Sequence, residues 1–178
     1  GRISRNIIRG ALTAGIRVNS PKTANNISVI DNRMVSSGGY CITTIAAANN
    51  QVRGWRIEGN DLSCSSGGMW LRGGVLSAVI SGNWIEMAAV TAINLEGAAA
   101  TNTDAVSIVG NEISCVGACA AIIGIRLGPT ANLRGVRIEA NHIQSFGSGV
   151  SILAGFTGSI CDVDIGPNFW ESVTTQVS

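Results

Sequence analysis

The sequence is short of charged and aromatic side chains. Only 13% of its 178 residues are charged, 12 basic residues stand against 11 acidic ones, and aromatic residues make up 4%. A formal net charge of +1 provides no electrostatic attraction for nucleic acid or for an anionic membrane surface, so neither is expected as a partner. Hydrophobic residues reach 46%, which argues against disorder. With 3 prolines beside 23 glycines, the composition is neither collagen-like nor that of a proline-rich linker.

Two further absences limit the chemistry of the chain. No apolar run in the sequence approaches the length that a membrane-spanning helix needs, so membrane insertion is not expected. The cysteines are odd in number and lack the CxxC pairs of zinc sites; they are Cys41, Cys64, Cys115, Cys119 and Cys161. We therefore expect reduced, buried cysteines, no metal site and no cofactor.

A short pattern that ends in an asparagine recurs seven times. The repeated asparagines are Asn6, Asn32, Asn60, Asn83, Asn111, Asn141 and Asn168, at intervals of 26, 28, 23, 28, 30 and 27 residues. Apolar residues occupy the third position before and the second position after each asparagine, and the fourth position before it is mostly polar. Such alternation with a period of two predicts β-strands, and a repeat of this length predicts a solenoid.

Each repeated asparagine is predicted to turn the chain between two strands. Asparagine tolerates the left-handed backbone conformation, and it follows glycine in three of the copies, so a sharp turn needs no long loop. In successive coils, stacked side-chain amides can bond one another as a ladder. We therefore interpret the seven asparagines as structural, and we expect Asn83 and Asn111 to point inwards from successive turns.

A third strand is predicted in each coil, after a glycine-rich bend. Its six copies cover residues 15–19, 40–44, 68–72, 92–96, 124–128 and 149–153. Variable segments such as 46–54, 97–104 and 128–135 come before the next asparagine and are predicted as loops. Three strands per coil indicate an all-β fold, a right-handed parallel β-helix solenoid of about seven coils. We expect one β-helix domain over residues 1–178 and, since the chain begins with Gly1 and not with Met, a fragment of a longer protein.

The unit Ile-x-Gly-Asn-x-Ile, clearest around Asn60, Asn83 and Asn111, resembles the repeats of the pectate-lyase-like superfamily of right-handed parallel β-helices. The resemblance covers essentially the whole chain. The Gly-, Ser- and Ala-rich coils and the closing segment 166–178 look most like bacteriophage tailspikes and tail fibres. This resemblance implies a homotrimer, located in the virion or outside the cell, that contacts bacterial surface polysaccharide. Fold alone does not establish that activity.

Two other functions remain open from the sequence. The first is a polysaccharide lyase or glycoside hydrolase of the same superfamily. The tripeptide 102–104, Asn-Thr-Asp, matches a polygalacturonase motif, but the other motifs of that family are missing and the match lies in a predicted loop. Glycosidases need two carboxyl groups close together, and no column of the repeat has carboxylates in adjacent coils, so the catalytic residues are unassigned. The other function is a structural spacer or adhesin stalk.

The outward face of the third strand carries the candidate ligand-binding residues. Trp70, Asn94 and Arg126 occupy one column in three successive coils, and Arg72 and Glu96 occupy the neighbouring column. An exposed indole beside guanidinium, amide and carboxylate groups suits a sugar, because the ring stacks while the polar groups bond hydroxyls or acidic substituents. The alternative is that Trp70 packs under a loop or at a subunit contact, while Arg72 and Glu96 form only a weak ion pair.

Overall fold

The chain winds into a parallel β-solenoid built from three sheets. The computed structural model describes residues 1–20, 24–46, 51–87, 89–97, 101–117, 119–129, 132–153 and 159–178. No helix occurs in these residues, and hence none that could cross a membrane. The second and third sheets have seven strands each. Since seven stacked strands enclose six full turns, the solenoid has about six turns, one fewer than the seven coils that the sequence predicts.

The strands fall into three groups by their place in the coil. The first sheet contains β1 (Arg2–Ser4), β4 (Ala24–Asn25), β5 (Ser28–Ile30), β8 (Val52–Arg53), β9 (Arg56–Glu58), β12 (Val75–Leu76), β13 (Val79–Ser81), β16 (Thr103–Asp104), β17 (Ser107–Val109), β20 (Leu133–Glu139) and β23 (Ile160–Ile165). The second sheet contains β2 (Ile7–Arg9), β6 (Arg33–Ser37), β10 (Asp61–Cys64), β14 (Trp84–Met87), β18 (Glu112–Cys115), β21 (His142–Gln144) and β24 (Phe169–Glu171). The third sheet contains β3 (Ala14–Ser20), β7 (Tyr40–Ala46), β11 (Gly67–Arg72), β15 (Thr91–Glu96), β19 (Ile123–Leu127), β22 (Ser148–Ile152) and β25 (Thr175–Val177).

Apolar columns inside the solenoid hold the coils in register. Ile57, Ile80, Ile108 and Ile138 pair with one another in that order, and each is fully buried. Their neighbours on either side, most of which are polar, point outwards, because successive side chains of a strand alternate between its two faces. The predicted apolar column before the asparagine is thus confirmed as a continuous buried stack.

The asparagines form the ladder that the sequence predicts. In each of the first six repeated asparagines, the side-chain Nδ2 donates a hydrogen bond to Oδ1 of the asparagine in the next coil, over 2.9–3.0 Å. The backbone N–H of the same six residues donates to that oxygen as well. Both Asn83 and Asn111 are buried, as predicted. Since a buried amide must satisfy its donors and acceptor, each interior coil depends on the coil after it.

The left-handed residue of this turn is not the asparagine, which corrects the sequence prediction. Positive φ angles occur one residue earlier, at Arg5, Asp31, Gly59, Gly82, Gly110 and Ala140. In the last copy this position is occupied by Pro167, whose ring prevents a positive φ. The asparagine therefore contributes through its side-chain hydrogen bonds, and the residue before it makes the bend.

Part of the predicted loops is also strand. Segments 47–50, 98–100 and 130–131 of those loops lie outside the described residues, but Val52, Thr103 and Leu133 begin strands of the first sheet. These residues lie eight positions before their asparagines, and all three are buried. Two positions later comes a left-handed residue in six coils, namely Asn26, Gly54, Ser77, Ala105, Gly135 and Asp162. Each coil therefore bends once more than predicted, within the first sheet.

The cysteines are not all reduced, contrary to the prediction. A disulfide joins Cys41 of β7 to Cys64 of β10, and a second joins Cys115 to Cys119. Cys161 is a free and exposed cysteine. The four bonded cysteines are buried, so the predicted burial is right for them while the predicted redox state is wrong. The first bond links the third sheet to the second sheet across successive coils.

Candidate functional site

The structure places the five predicted ligand-binding residues on three neighbouring strands of the third sheet. Trp70 pairs in register with Asn94, and Asn94 pairs with Arg126. Arg72 pairs with Glu96 in the neighbouring column. These columns alternate with the buried column that contains Met69 and Ile93. All five side chains therefore start from the outward face of the sheet.

Trp70 is more enclosed than the sequence predicts. Its indole Nε1 donates a hydrogen bond to Oε2 of Glu96 over 2.8 Å, and Cζ of Arg72 lies 4.4 Å from the centre of its ring. The Arg72 guanidinium is 3.8 Å from the Glu96 carboxylate, and both side chains are partly exposed, so this ion pair contributes little to stability. The indole is thus held in one orientation, with its N–H already engaged.

Tyr40, which does not stand out as a candidate in the sequence, lies beside Trp70. The two ring centres are 5.2 Å apart, with the ring planes at 44°. Tyr40 lies against Gly67, where an added Cβ would be 2.5 Å from the tyrosine ring. One feature of the sequence could have indicated this contact. The single tyrosine of the chain is paired with a glycine, Gly67, at the matching position of the next coil, where a large side chain has room to lie.

Burial raises the pKa of the Tyr40 hydroxyl above its ordinary value. The hydrogen bond with Asn94 and the positive charge of Arg126 act in the opposite direction, and the charge of Glu96 adds to the rise. The hydroxyl therefore stays protonated at neutral pH, as a neutral group next to an amide and a guanidinium.

Tyr40 and Trp70 form the wall of a groove of about 320 Å³ on the third sheet. We call this the aromatic groove, and its other principal lining residues are Arg17, Thr43 and Arg72. Arg17 is exposed, and it forms no ion pair with another residue of the described ranges. Among the described residues, no carboxylate lines the groove. The groove is thus lined by the partly exposed indole of Trp70, by the edge of Tyr40, which is 9% exposed, and by two guanidinium groups.

The predicted set divides into two parts. Trp70 and Arg72 line the aromatic groove, whereas Asn94, Glu96 and Arg126 do not. Asn94 is only 2% exposed, so its side chain is covered although it starts from the predicted outward face. The reason is that Tyr40 and Trp70 both reach from their own coils towards the coil of Asn94 and Glu96.

A second hollow, of about 340 Å³, lies on the second sheet around His142 and Phe169. His142 stands between two carboxylates, 3.3 Å from Glu112 and 3.4 Å from Glu171. Glycosidase carboxylates flank the bond that they cleave. Here the imidazole occupies the space between them. This group therefore lacks the arrangement of a glycosidase site.

The polygalacturonase-like tripeptide is not part of a cleft of carboxylates either. Thr103 and Asp104 form the short strand β16 and not a loop, and Thr103 is buried. Asp104 forms an ion pair with Arg134 over 3.0 Å. Its carboxylate therefore has a structural partner on the next coil.

Comparisons of this chain with protein-family models, with curated proteins and with solved structures find no match.

Proposed function

We propose that this chain is a carbohydrate-binding β-solenoid whose aromatic groove binds a bacterial surface polysaccharide. The observation that carries the proposal is the aromatic pair of Tyr40 and Trp70, 5.2 Å apart, in a groove that also contains Arg17 and Arg72. Aromatic rings stack on the apolar face of a sugar ring, while guanidinium groups donate several hydrogen bonds in a fixed geometry. The hydrogen bond from Trp70 to Glu96 supports this role, because a ring that is already oriented loses less entropy on binding.

The charge of the aromatic groove favours an acidic glycan. Among the described residues, Arg17 and Arg72 line it and no carboxylate does; Arg72 has Glu96 at 3.8 Å, whereas Arg17 has no ion pair. Guanidinium groups bind carboxylates and phosphates in a bidentate manner. A polysaccharide with uronic acid or phosphate substituents would therefore find its charge matched along this face.

The proposed setting is a tailspike- or tail-fibre-like protein, in the virion or outside the cell. Two disulfides support an extracellular location, because disulfides persist in oxidising environments. A homotrimer is part of the same proposal. Ile160 on β23 and Phe169 on β24, which are 50% and 64% exposed, supply apolar surface for a subunit contact.

Binding without cleavage is the form of the proposal that the groove supports best. Among the described residues of the third-sheet strands, Glu96 is the only carboxylate, and it is engaged by Trp70 and Arg72. A glycosidase needs a second carboxyl group nearby. A spacer, in contrast, would have no need for arginines in an aromatic groove.

The test is an array of defined bacterial surface oligosaccharides and oligogalacturonates, probed with wild type, Trp70→Ala and Trp84→Ala. Trp84→Ala is the matched control, because it removes an exposed tryptophan from the second sheet. We expect wild type and the control to bind acidic oligosaccharides, and Trp70→Ala to lose about 1–2 kcal/mol of binding free energy. Release of shorter sugars from bound spots would favour the enzyme, and no binding by wild type would favour the spacer.

A further inference from the structure

Two buried polar atoms on the third sheet have no hydrogen-bond partner within the part of the chain that the structure describes. They are Oδ1 of Asn94 and Nε of Arg126, on strands β15 and β19, where the two residues are paired in register. Buried polar groups in folded proteins are nearly always bonded, and an unmade bond costs stability. Two such atoms on adjacent positions of one outward column could share a single hydrogen-bond partner.

The two atoms have opposite hydrogen-bonding character. Oδ1 of Asn94 can only accept a hydrogen bond, and Nε of Arg126 can only donate one. A carboxylate would leave the Asn94 oxygen unpaired, and an ammonium group would leave the Arg126 nitrogen unpaired. A hydroxyl donates and accepts at the same time. Since adjacent strands lie about 4.8 Å apart, one oxygen atom can bridge both groups.

The pair lies directly behind the aromatic groove. Asn94 is the register partner of Trp70, and it is hydrogen-bonded with the Tyr40 hydroxyl. Arg126 is close enough for its charge to act on the same hydroxyl. A ligand in the groove therefore reaches the pair by displacing the Tyr40 side chain from Asn94.

We infer that Asn94 and Arg126 form an inner subsite of the aromatic groove that binds one sugar hydroxyl. The hydroxyl donates a hydrogen bond to Oδ1 of Asn94 and accepts one from Nε of Arg126. This inference rests on the proposed function and extends the binding face by one coil beyond Glu96. The same hydroxyl would satisfy both unpaired atoms. Folded proteins tolerate unfavourable local features of this kind at functional sites.

The test uses two variants on the same oligosaccharide array. Asn94→Leu replaces the amide with an apolar side chain of similar size, and Arg126→Lys keeps the positive charge but lacks the Nε donor. We expect each variant to bind the oligosaccharides recognised by wild type about tenfold more weakly, as for loss of a hydrogen bond to a buried polar group. The melting temperature of Asn94→Leu should change little, because the gain from removing an unpaired buried oxygen is offset by the loss of the hydrogen bond with the Tyr40 hydroxyl.

Two results separate the subsite from the groove. If Trp70→Ala loses binding while Asn94→Leu and Arg126→Lys bind as wild type does, the inner subsite is wrong and the groove stands. If wild type binds nothing on the array, the proposed function fails, and the inference fails with it. Should Asn94→Leu not fold, Arg126→Lys decides alone, and wild-type affinity in that variant would overturn the inference.

Discussion

Nε1 of Trp70 lies 2.8 Å from Oε2 of Glu96 in the next coil, and this bond fixes the indole across two coils of the third sheet. Tyr40 contacts the same ring from the preceding coil. Trp70 therefore links three coils through side-chain contacts, in addition to the backbone bonds of β11. An aromatic residue placed in this way contributes to the stability of the face.

The first prediction concerns the stability of this contact. Trp70→Ala should lower the free energy of unfolding by about 2 kcal/mol, since it removes the ring contacts and leaves Glu96 without its donor. Trp70→Phe keeps an aromatic ring and should cost about 1 kcal/mol, the usual worth of one hydrogen bond. Urea denaturation measures both. Equal losses for the two variants would mean that the hydrogen bond, and not the ring, provides the stability.

The second prediction concerns the asparagine ladder. Asn111→Ala should destabilise the fold by roughly 2–4 kcal/mol, because the bonds to Asn83 and Asn141 are lost and buried groups on both sides are left unpaired. Asn6→Ala is the matched control. Asn6 lies at one end of the ladder and is exposed, so water can replace its bonds and the loss should stay below about 1 kcal/mol. Equal effects in a thermal unfolding experiment would contradict the cooperative ladder.

The sequence predicts the solenoid because each coil repeats the same inward positions. Ile57, Ile80, Ile108 and Ile138 are one column in the sequence and one stack in the structure. The disulfide between Cys41 and Cys64 could not be predicted in this way, because these cysteines belong to different sheets of successive coils. Their proximity arises at the bend between the sheets and has no counterpart in the repeat.

The candidate site shows the same limit. The register of Trp70, Asn94 and Arg126 follows from the columns and is correct. The burial of Asn94 depends on the positions of the Tyr40 and Trp70 side chains, and the absence of a side chain at Gly67 leaves room for the tyrosine ring. An alternation of inward and outward positions predicts the direction of a side chain but not what covers it.

The third prediction uses two equivalent turn positions. Gly110 and Ala140 both adopt a positive φ directly before a ladder asparagine, and an added Cβ at Gly110 would meet nothing within 4 Å. Gly110→Ala should therefore cost about 1 kcal/mol of unfolding free energy, from backbone conformation alone. Ala140→Gly should raise the unfolding free energy, because glycine adopts a positive φ without strain. The gain should be smaller than about 1 kcal/mol, because glycine also increases the conformational entropy of the unfolded chain. Denaturant midpoints that shift in the same direction for both would refute this assignment.

The fourth prediction concerns the disulfides. In the chain-entropy account, the bond between Cys41 and Cys64, separated by 23 residues, contributes about 3 kcal/mol. The bond between Cys115 and Cys119, separated by 4 residues, contributes about 2 kcal/mol. Cys41→Ser should thus lower the stability more than Cys119→Ser does. A chemical denaturation of both variants, with wild type under reducing and non-reducing conditions, tests the order. If reduction leaves the stability of wild type unchanged, neither disulfide contributes these amounts and the prediction is wrong.

The fifth prediction concerns Tyr40, whose hydroxyl has a raised pKa because it is buried. Its unfolded pKa is about 10, so the folded state holds the proton more tightly. The stabilisation linked to this proton is present below pH 10 and is lost as the pH rises through the folded pKa. Because the chain has 1 tyrosine, phenolate absorbance reports Tyr40 alone. The native midpoint should lie above that of the protein in denaturant, and still higher in Asn94→Leu, where the hydrogen bond that lowers the pKa is missing. A native midpoint equal to the denatured one would show that water reaches the hydroxyl freely, and Tyr40 would then not cover Asn94.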